Sequence, residues 1–571
     1  MSVFQKGLFL SVAGIFSLVP FYHAHAQSPN LPGSADPSRL EERLRGPLLQ
    51  QDNNIVAPEK MDIDGDIPQA PDGFILNRIV LTGVTAFDTG HFSTLIDEYI
   101  GRSVDVNVLN HLAARITQIY REEGYFLSRA VIPQQEVMDG IVKIQVIEGH
   151  VGNVIIDDPD ALLQKDIFDI TAKAMQKIKA LDPLHGPTLE RYVLLLNDQS
   201  GLTVQNILQA PEQPTGRPGQ VDIVLKILPG ERNIILGYNN HGSHFVGPHQ
   251  LSASYAQGNI LNSFDTLTLQ TSTAIPMSEV QFGAVGYSFP LNEEGLSASF
   301  LVSYANSEPG FTLSELEVEG DSTSAEATLS YPFIRSRRTN LSAGTTFVFR
   351  NSATEFLDEE LIDDKTRSLS AFVNYNTLDP FNGYNALNLS VSKGLNILNA
   401  TETGTENLSR QQGRSDFLTL ELDAFRQQDI TPELQLVNAV SGQFAPHPLL
   451  SAQEFGYGGI SYGRAYDPSE ITGDQGVSAS VELRYTDIDP IPDFNLKIVP
   501  LVFYDIGKVW NEDRGAKPQS AASAGFGAYY NFDNTVSGSL QVAYPLTKRV
   551  TTPIMNGEKG PRILLSLNAS F

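Results

Sequence analysis

From residue 232 to the C-terminus, the chain alternates apolar and polar positions in segments of about ten residues, separated by turn residues. Residues 536–544 (VSGSLQVAY) show the pattern clearly, because the even positions are mostly apolar and the odd positions are small or polar. Period-two alternation predicts strands with two unlike faces. We count about sixteen such segments, which predicts a long all-β region.

The final segment, residues 562–571 (RILLSLNASF), places Ile563, Leu565 and Leu567 on one face and ends on Phe571. A terminal strand that ends on an aromatic is typical of outer-membrane β-barrels, and Phe571 resembles their assembly signal. An ordinary half-buried strand is the alternative for this segment taken alone. The even number of segments, with one lipid-facing and one lumen-facing row in each, favours a bacterial barrel.

The N-terminus predicts export from the cytoplasm. Residues 1–26 combine Lys6, an apolar stretch over 7–22 and the motif Ala24-His25-Ala26, which is the pattern of a cleaved signal peptide. A retained anchor is the alternative. No run of 18 apolar residues follows, so a membrane-spanning form of the chain is predicted to be a closed barrel. A large soluble β-sandwich or propeller is the competing interpretation.

Composition narrows the classes of function. The 571 residues carry 66 acidic and 39 basic side chains, a formal charge of -27, which argues against a nucleic-acid partner. The chain has no cysteine, so it has neither disulfides nor thiolate metal ligands. Its length predicts several domains.

Residues 27–50 are predicted to contain one helix, over 36–50. Asp36 is suited to cap it, Pro37 to occupy its first turn, and the Gly46-Pro47 pair to break or kink it. Residues 51–73 are acidic and contain prolines, and this composition predicts an extended linker.

Two similar units follow the linker. Residues 74–149 read as a strand, two helices and two strands, with the second helix near 108–123. Residues 150–230 repeat this order, with helices predicted over 160–180 and 189–197. Each unit is therefore predicted to be a small α+β domain whose sheet is covered by two helices.

Both units resemble domains of a known family. IYREEGYFLSRAVIPQQEVMDGIVKIQVIEGHVGNVII resembles the first POTRA domain of two-partner secretion transporters, the haemolysin secretion/activation proteins of Gram-negative bacteria. LERYVLLLNDQSGLTV, with QVDIVLKI after it, resembles their second POTRA domain. The resemblance implies a plug helix in 27–50, POTRA 1 over 74–149, POTRA 2 over 150–230, and a transmembrane β-barrel of about sixteen antiparallel strands over 231–571.

A first barrel motif lies between the predicted eleventh and twelfth strands. The segment GGISYGRAYDPSEITGDQG, within residues 447–475, resembles the inward-folded loop of the family, which usually reads Val-Arg-Gly followed by Tyr or Phe. The corresponding residues here are Gly463, Arg464, Ala465 and Tyr466. Alanine adopts positive φ less freely than glycine does, so the conformation of this loop tip is in question.

A second motif, Phe503-Tyr504-Asp505-Ile506-Gly507, matches the Phe-x-Asp-x-Gly strand of the family. The resemblance implies that Asp505 faces the lumen and pairs with Arg464, and a bidentate pair would hold the loop in one place. Gly507 is predicted to leave room for a close backbone approach. The alternative for Arg464 is an exposed loop charge.

The sequence contains no recognisable catalytic motif. His185 is isolated, and residues 62–66 (DIDGD) resemble a fragment of a calcium loop that lacks the glutamate at its twelfth position. We therefore predict no enzyme activity, no cofactor and no metal site.

The resemblance implies a pore in the bacterial outer membrane, with its POTRA domains in the periplasm. These domains would bind a large unfolded secreted partner, adhesin-like or haemolysin-like, for export. Other expected partners are outer-membrane lipid and, during biogenesis, the barrel-assembly machinery and periplasmic chaperones. A barrel-assembly insertase and a passive porin or adhesin are the alternatives.

Overall fold

The computed structural model describes residues 31–44, 67–70, 73–88, 90–158, 165–198, 202–211, 216–229, 233–261, 264–357, 359–486, 488–491, 495–512, 517–533, 535–554 and 558–571. The predicted signal peptide, residues 45–50 of the predicted helix and residues 51–66 of the predicted linker lie outside the described residues. Within the described ranges, no helix is long and apolar enough to cross a membrane.

Helix α1 (Pro37–Leu44) begins where the sequence predicts. The Asp36 carboxylate accepts hydrogen bonds from the backbone N–H of Ser38 (3.0 Å) and from its hydroxyl (2.6 Å). These bonds satisfy a donor that the first turn of a helix leaves free. The predicted cap is therefore confirmed.

The first domain has a three-stranded sheet under two helices. Its elements are β1 (Phe74–Ile75), β2 (Arg78–Thr82), α2 (Ser93–Asp97), β3 (Ser103–Val104), α3 (Val106–Glu122), β4 (Arg129–Val131) and β5 (Ile141–Ile147), with sheet order β2-β5-β4. The strand predicted at the start of this domain is divided, because the Leu76 N–H donates to the Arg102 carbonyl and the Asn77 N–H donates to the Gly140 carbonyl. The chain thus changes from pairing with β3 to pairing with β5.

The second domain repeats this architecture, as predicted. Its elements are β6 (His150–Asp157), α4 (Lys165–Lys179), α5 (Gly186–Asn197), β7 (Leu202–Gln209) and β8 (Gln220–Pro229), with sheet order β6-β8-β7. In both sheets the central strand pairs parallel with one neighbour and antiparallel with the other. The apolar face of each sheet packs against its helices, so each domain has its own core.

In the described part of the chain the remaining strands form a closed barrel of sixteen long strands, which confirms the prediction of about sixteen. These strands are β9 (Asn233–Asn239), β10 (His249–Gly258), β11 (Thr266–Ile275), β12 (Gln281–Pro290), β13 (Ser297–Ser307), β14 (Val318–Arg335), β15 (Thr339–Phe356), β16 (Glu359–Leu378), β17 (Gly383–Gly394), β18 (Leu418–Asp429), β19 (Leu434–Phe444), β22 (Gln475–Tyr485), β24 (Leu496–Trp510), β25 (Gln519–Phe532), β26 (Val536–Pro545) and β27 (Arg562–Ser570). Between them lie the hairpin β20 (Phe455–Tyr457) and β21 (Ile471–Gly473), and the short strand β23 (Ile488–Ile491).

The alternation in the sequence corresponds to the two faces of the barrel wall. On β26, Leu540 is 51% exposed on the outside, whereas Ser539 and Gln541 are buried on the inside. The barrel closes between β27 and β9, where Ile234 and Phe571 exchange backbone hydrogen bonds of 3.1 and 2.9 Å. The terminal aromatic therefore belongs to the closing seam, and its role as an assembly signal stays a prediction.

The second domain contacts one rim of the barrel. Asp198, directly after α5, binds Arg335 at the end of β14 through two hydrogen bonds of 2.7 and 2.5 Å. Glu294, in the turn between β12 and β13, accepts from Lys177 (3.0 Å) and from the Tyr192 hydroxyl (2.9 Å). Phe264, from the turn between β10 and β11, belongs to the apolar core of this domain. The domain is thereby seated on three turns of the same rim.

Candidate functional site

The candidate site lies inside the barrel, on a loop between β19 and β22, which are the eleventh and twelfth long strands of the ring. Residues 445–474 of this inward loop turn into the lumen, where Arg464 is 3% exposed and Tyr466 fully buried. The aromatic residues of its hairpin, β20 and β21, pack among lumen-facing residues of β24 and β25. A loop buried in this way needs partners for its polar groups, and these partners define the site.

Arg464 is surrounded by acceptors from three barrel strands. Its guanidinium lies 2.5 Å from Glu482 and 3.6 Å from Asp505, and it donates to Gln541 (3.2 Å) and to the Ser480 hydroxyl (3.1 Å). The backbone N–H of Arg464 donates to Asp505 at 3.1 Å. The structure thus brings Arg464 and Asp505 together, but the guanidinium does not fork onto Asp505 as the bidentate hypothesis has it.

Glu482 is a site residue that the sequence motifs do not identify. Its carboxylate accepts from Arg484 (2.7 Å) and from the Tyr529 hydroxyl (3.3 Å) as well as from Arg464. Two arginines and two carboxylates, counting Asp505, therefore balance one another inside the barrel wall, and burying charge requires such neutralisation. The sequence does indicate that Glu482 faces the lumen, because strict alternation along β22 places Glu482 and Arg484 on the inward face.

All three residues of the Phe-x-Asp-x-Gly strand face inward and contact the inward loop. The Arg464 guanidinium lies over the Phe503 ring, 4.0 Å from the ring centre, in a favourable cation–π contact. Asp505 accepts the Arg464 N–H. At Gly507, a Cβ would lie 2.1 Å from the ring of Tyr457 in β20. Gly507 therefore leaves room for an aromatic ring of the loop, and not for a backbone as the sequence suggests.

The loop tip resolves the question raised by Ala465. The left-handed residue is Gly463, with φ of +84°, and a Cβ there would meet the Tyr457 ring at 2.7 Å. Tyr466 closes the turn, because its N–H donates to the Gly463 carbonyl at 2.8 Å. At this tip a glycine therefore occupies the position with positive φ, and Ala465 does not adopt it.

A second anchor holds the far side of the tip. Arg562 on β27 pairs with Asp467 at 2.8 Å and donates to the carbonyls of Tyr466 (2.7 Å) and Gly242 (2.6 Å). The Thr552 hydroxyl donates to the other oxygen of Asp467 at 2.7 Å. The loop tip is therefore bound to the closing strand as well as to β22 and β24.

Helix α1 occupies the lumen beside this loop. Leu40 and Leu44 are buried in an apolar cluster with Phe282, Ala284 and Ala305, which point inward from β12 and β13. Just before the helix, a Cβ on Gly33 would lie 2.7 Å from the Ser469 carbonyl of the inward loop. The helix thus fills space between the barrel wall and the loop, as a plug does.

Among the described residues, no group of three or more His, Cys, Asp or Glu side chains is placed to hold a metal ion. The absence of a cofactor stays a prediction.

Comparisons with known proteins agree with this architecture. Residues 219–530 match the family "Haemolysin secretion/activation protein ShlB/FhaC/HecB", and residues 74–149 match the ShlB-type POTRA domain. The "Heme/hemopexin transporter protein HuxB" of Haemophilus influenzae is 23% identical over 492 residues, which cover 83% of this chain and 85% of the relative. "Outer membrane transporter CdiB" of Dickeya dadantii is 23% identical over 471 residues, 78% of each chain.

The solved structure of CdiB from Escherichia coli shares the fold, with a TM-score of 0.69 at 18% identity, over 91% of this chain and 93% of that one. A sixteen-stranded barrel that contains a helix and an inward loop, and that is preceded by POTRA domains, defines a class of outer-membrane secretion pores. The chain belongs to the haemolysin secretion/activation protein family of ShlB, FhaC and HecB. It is an outer-membrane transporter with periplasmic POTRA domains.

Proposed function

We propose that this transporter exports one large, adhesin-like or haemolysin-like partner, which its POTRA domains bind unfolded in the periplasm. The observation that carries the proposal is the filled lumen, in which the Arg464 loop and helix α1 both lie against the inner wall. Such a barrel is closed at rest and must be opened by a specific event. A passive diffusion pore has no use for this arrangement.

Capture can occur on the open edges of the POTRA sheets. Within the described residues, β2 and β4 in the first domain and β6 and β7 in the second each pair with one neighbour only. An extended segment can add to such an edge through backbone hydrogen bonds, a mode that requires little of the bound sequence. Because the second domain is seated on the barrel rim, a segment bound there lies close to the pore entrance.

Translocation then requires helix α1 to leave the lumen while the inward loop stays in place. The loop is bound within the barrel by the Arg464–Glu482 and Arg562–Asp467 pairs, whereas Leu40 and Leu44 of α1 pack in an apolar cluster against the wall. In this proposal the transporter catalyses no reaction, and folding of the partner outside the cell drives export.

The test compares culture supernatants and outer-membrane fractions from cells that carry the wild-type chain, a deletion and Arg464→Ala. Arg549→Ala is the matched control, since Arg549 is an exposed loop arginine that pairs with Glu558. We expect one large secreted protein to disappear in the deletion and in Arg464→Ala, with the barrel still inserted.

Three other results would contradict the proposal. Broad depletion of many outer-membrane barrels would indicate an assembly insertase, and normal secretion by Arg464→Ala would remove the role assigned to the loop. An unchanged supernatant in the deletion would favour a passive porin or adhesin.

A further inference from the structure

Arg39 of helix α1 ties the helix to the inward loop. Arg39 donates to the Ser451 carbonyl at 2.8 Å and to the Glu454 carboxylate at 3.3 Å. Ser451 begins a short 3-10 turn of the loop (Ser451–Gln453), and Glu454 follows it directly. Arg39 is 3% exposed and Glu454 is fully buried, so this polar contact lies in the interior between plug and loop.

Glu454 has a second cationic partner from a different part of the chain. Its other oxygen lies 3.2 Å from Arg410, which comes from the connection between β17 and β18. Arg410 also pairs with Asp474 at 2.8 Å and donates to the Leu449 carbonyl. Asp474 in turn accepts from the backbone N–H of Leu449 (2.8 Å). Arg410 and Asp474 thus join the beginning and the end of the inward loop.

We propose that Glu454 is a shared latch, which binds Arg39 when the pore is closed and keeps Arg410 as its counter-ion when the plug is out. Leaving a buried charge without any partner is strongly unfavourable. Because each carboxylate oxygen has its own arginine, departure of α1 breaks one pair without isolating the carboxylate. Arg39 is therefore the releasable half of the latch, and Arg410 is a positioning residue that keeps the loop base seated.

The proposal rests on the plug role of α1, and it assigns a different task to each of the two arginines. Loss of Arg39 should open the pore and leave the loop in place. Loss of Arg410 should loosen the base of the loop. A purely structural network would not separate these two effects.

The first measurement is the open fraction of the purified full-length protein in planar lipid bilayers. Arg39→Gln and Glu454→Gln should each raise it at least about tenfold, since a hydrogen bond to a charged group is lost. The double variant should open no more than either single variant. Arg414→Gln is the matched control, because Arg414 pairs with Asp416 at 2.7 Å and is partly exposed.

The second measurement is thiol labelling of Ala445→Cys, which is specific because the chain has no other cysteine. Ala445 is fully buried at the loop base with Phe417 and Leu449, in a cluster separate from that of α1. Labelling should stay slow with Arg39→Gln and become several-fold faster with Arg410→Gln. Arg410→Lys, which keeps the charge, should restore part of the protection and serves as the readout if Arg410→Gln does not fold.

An unchanged open fraction in both Arg39→Gln and Glu454→Gln, or strictly multiplicative effects in the double variant, would overturn the latch. Slow labelling in a folded Arg410→Gln variant would overturn the role of Arg410. The bilayer contains no secreted partner, so these measurements can fail while the export function stands. Secretion can likewise fail while the latch stands.

Discussion

Arg464 and Glu482 form a 2.5 Å ion pair inside the barrel, with their side chains 4% and 7% exposed. Asp505, the partner that the motif implies, lies 3.6 Å from the same guanidinium and accepts the Arg464 backbone N–H. The two carboxylates therefore have different tasks. Glu482 binds the charge of the loop, and Asp505 fixes its backbone.

Neutralising Glu482 should destabilise the barrel, although Glu482→Gln hardly changes the volume of the side chain. Glu482→Gln leaves Arg464 and Arg484 against Asp505 alone, and an uncompensated buried charge costs about 3 kcal/mol. We expect the detergent-solubilised barrel to unfold at a lower temperature, as followed by the shift of its electrophoretic band on heating. Arg464→Gln should destabilise the barrel in the same way. The double variant restores neutrality, so its loss of stability should be smaller than the sum of the losses in the two single variants.

The control for this cycle is the exposed pair of Arg549 and Glu558, whose side chains are 71% and 56% exposed. Ion pairs on the surface contribute little to stability, so single variants of Arg549 and Glu558 should leave the unfolding temperature unchanged. Fully additive losses at Arg464 and Glu482 would show that the two residues do not interact.

Replacing Gly463 at the loop tip by valine, the usual residue of the family motif, should destabilise this protein. Gly463 has φ of +84° and its Cβ position faces the Tyr457 ring, so Gly463→Val introduces both backbone strain and a clash. We expect a loss of about 3 kcal/mol in the same band-shift assay, together with reduced secretion. Ala465→Gly, which restores the other residue of the usual motif, should cost less than about 1 kcal/mol. Equal tolerance of both variants would contradict the assignment of the turn.

Local periodicity explains how much of this fold could be predicted. Alternation along the strands indicated sixteen segments and the inward row, and Asp36 indicated the start of α1, because both signals act between residues close in sequence. The pair of Arg39 and Glu454 joins positions 415 residues apart, and no periodicity relates them. Glu482 lies between these cases, since its inward position was readable but its partner was not.

The seat of the second POTRA domain depends on Asp198 and Arg335. Their bidentate pair is only partly exposed, at 28% and 11%, and a charge-assisted fork of this kind fixes an orientation. Asp198→Asn should therefore widen the distance distribution between spin labels placed at Gln205→Cys and Phe381→Cys in the chain, which has no native cysteine. The double variant with exchanged charges, Asp198→Arg with Arg335→Asp, should narrow the distance distribution again.

Asp182→Asn is the matched control, because Asp182 forms a similar pair with Arg217 at 2.5 Å within the domain itself. An unchanged distance distribution in Asp198→Asn would mean that the contacts of Glu294 and Phe264 hold the domain without this pair.

Stability of the first POTRA domain should depend on pH through Glu148. Burial opposes ionisation of this carboxyl, but hydrogen bonds from Thr85 (2.8 Å), Ala86 (2.9 Å) and the Tyr120 hydroxyl (2.7 Å) outweigh it and lower its pKa. Burial, with the hydrogen bond to Glu148, raises the pKa of Tyr120. A depressed carboxyl pKa stabilises the folded state fully above the unfolded value of about 4.3, and this contribution is lost as the pH falls through the folded value.

Hydrogen exchange of α3 in the full-length protein measures this contribution. At pH 7, Glu148→Gln should reduce the protection of α3 by about 2 kcal/mol, because four donor groups on Thr85, Ala86 and Tyr120 lose a charged acceptor. Below about pH 4 the wild-type carboxyl also becomes protonated, so the difference between the two chains should shrink. Glu98→Gln, which removes an exposed partner of Arg115, should leave α3 unchanged at every pH. A difference that stays constant down to pH 3 would mean that Glu148 stabilises the domain by packing and not by its charge.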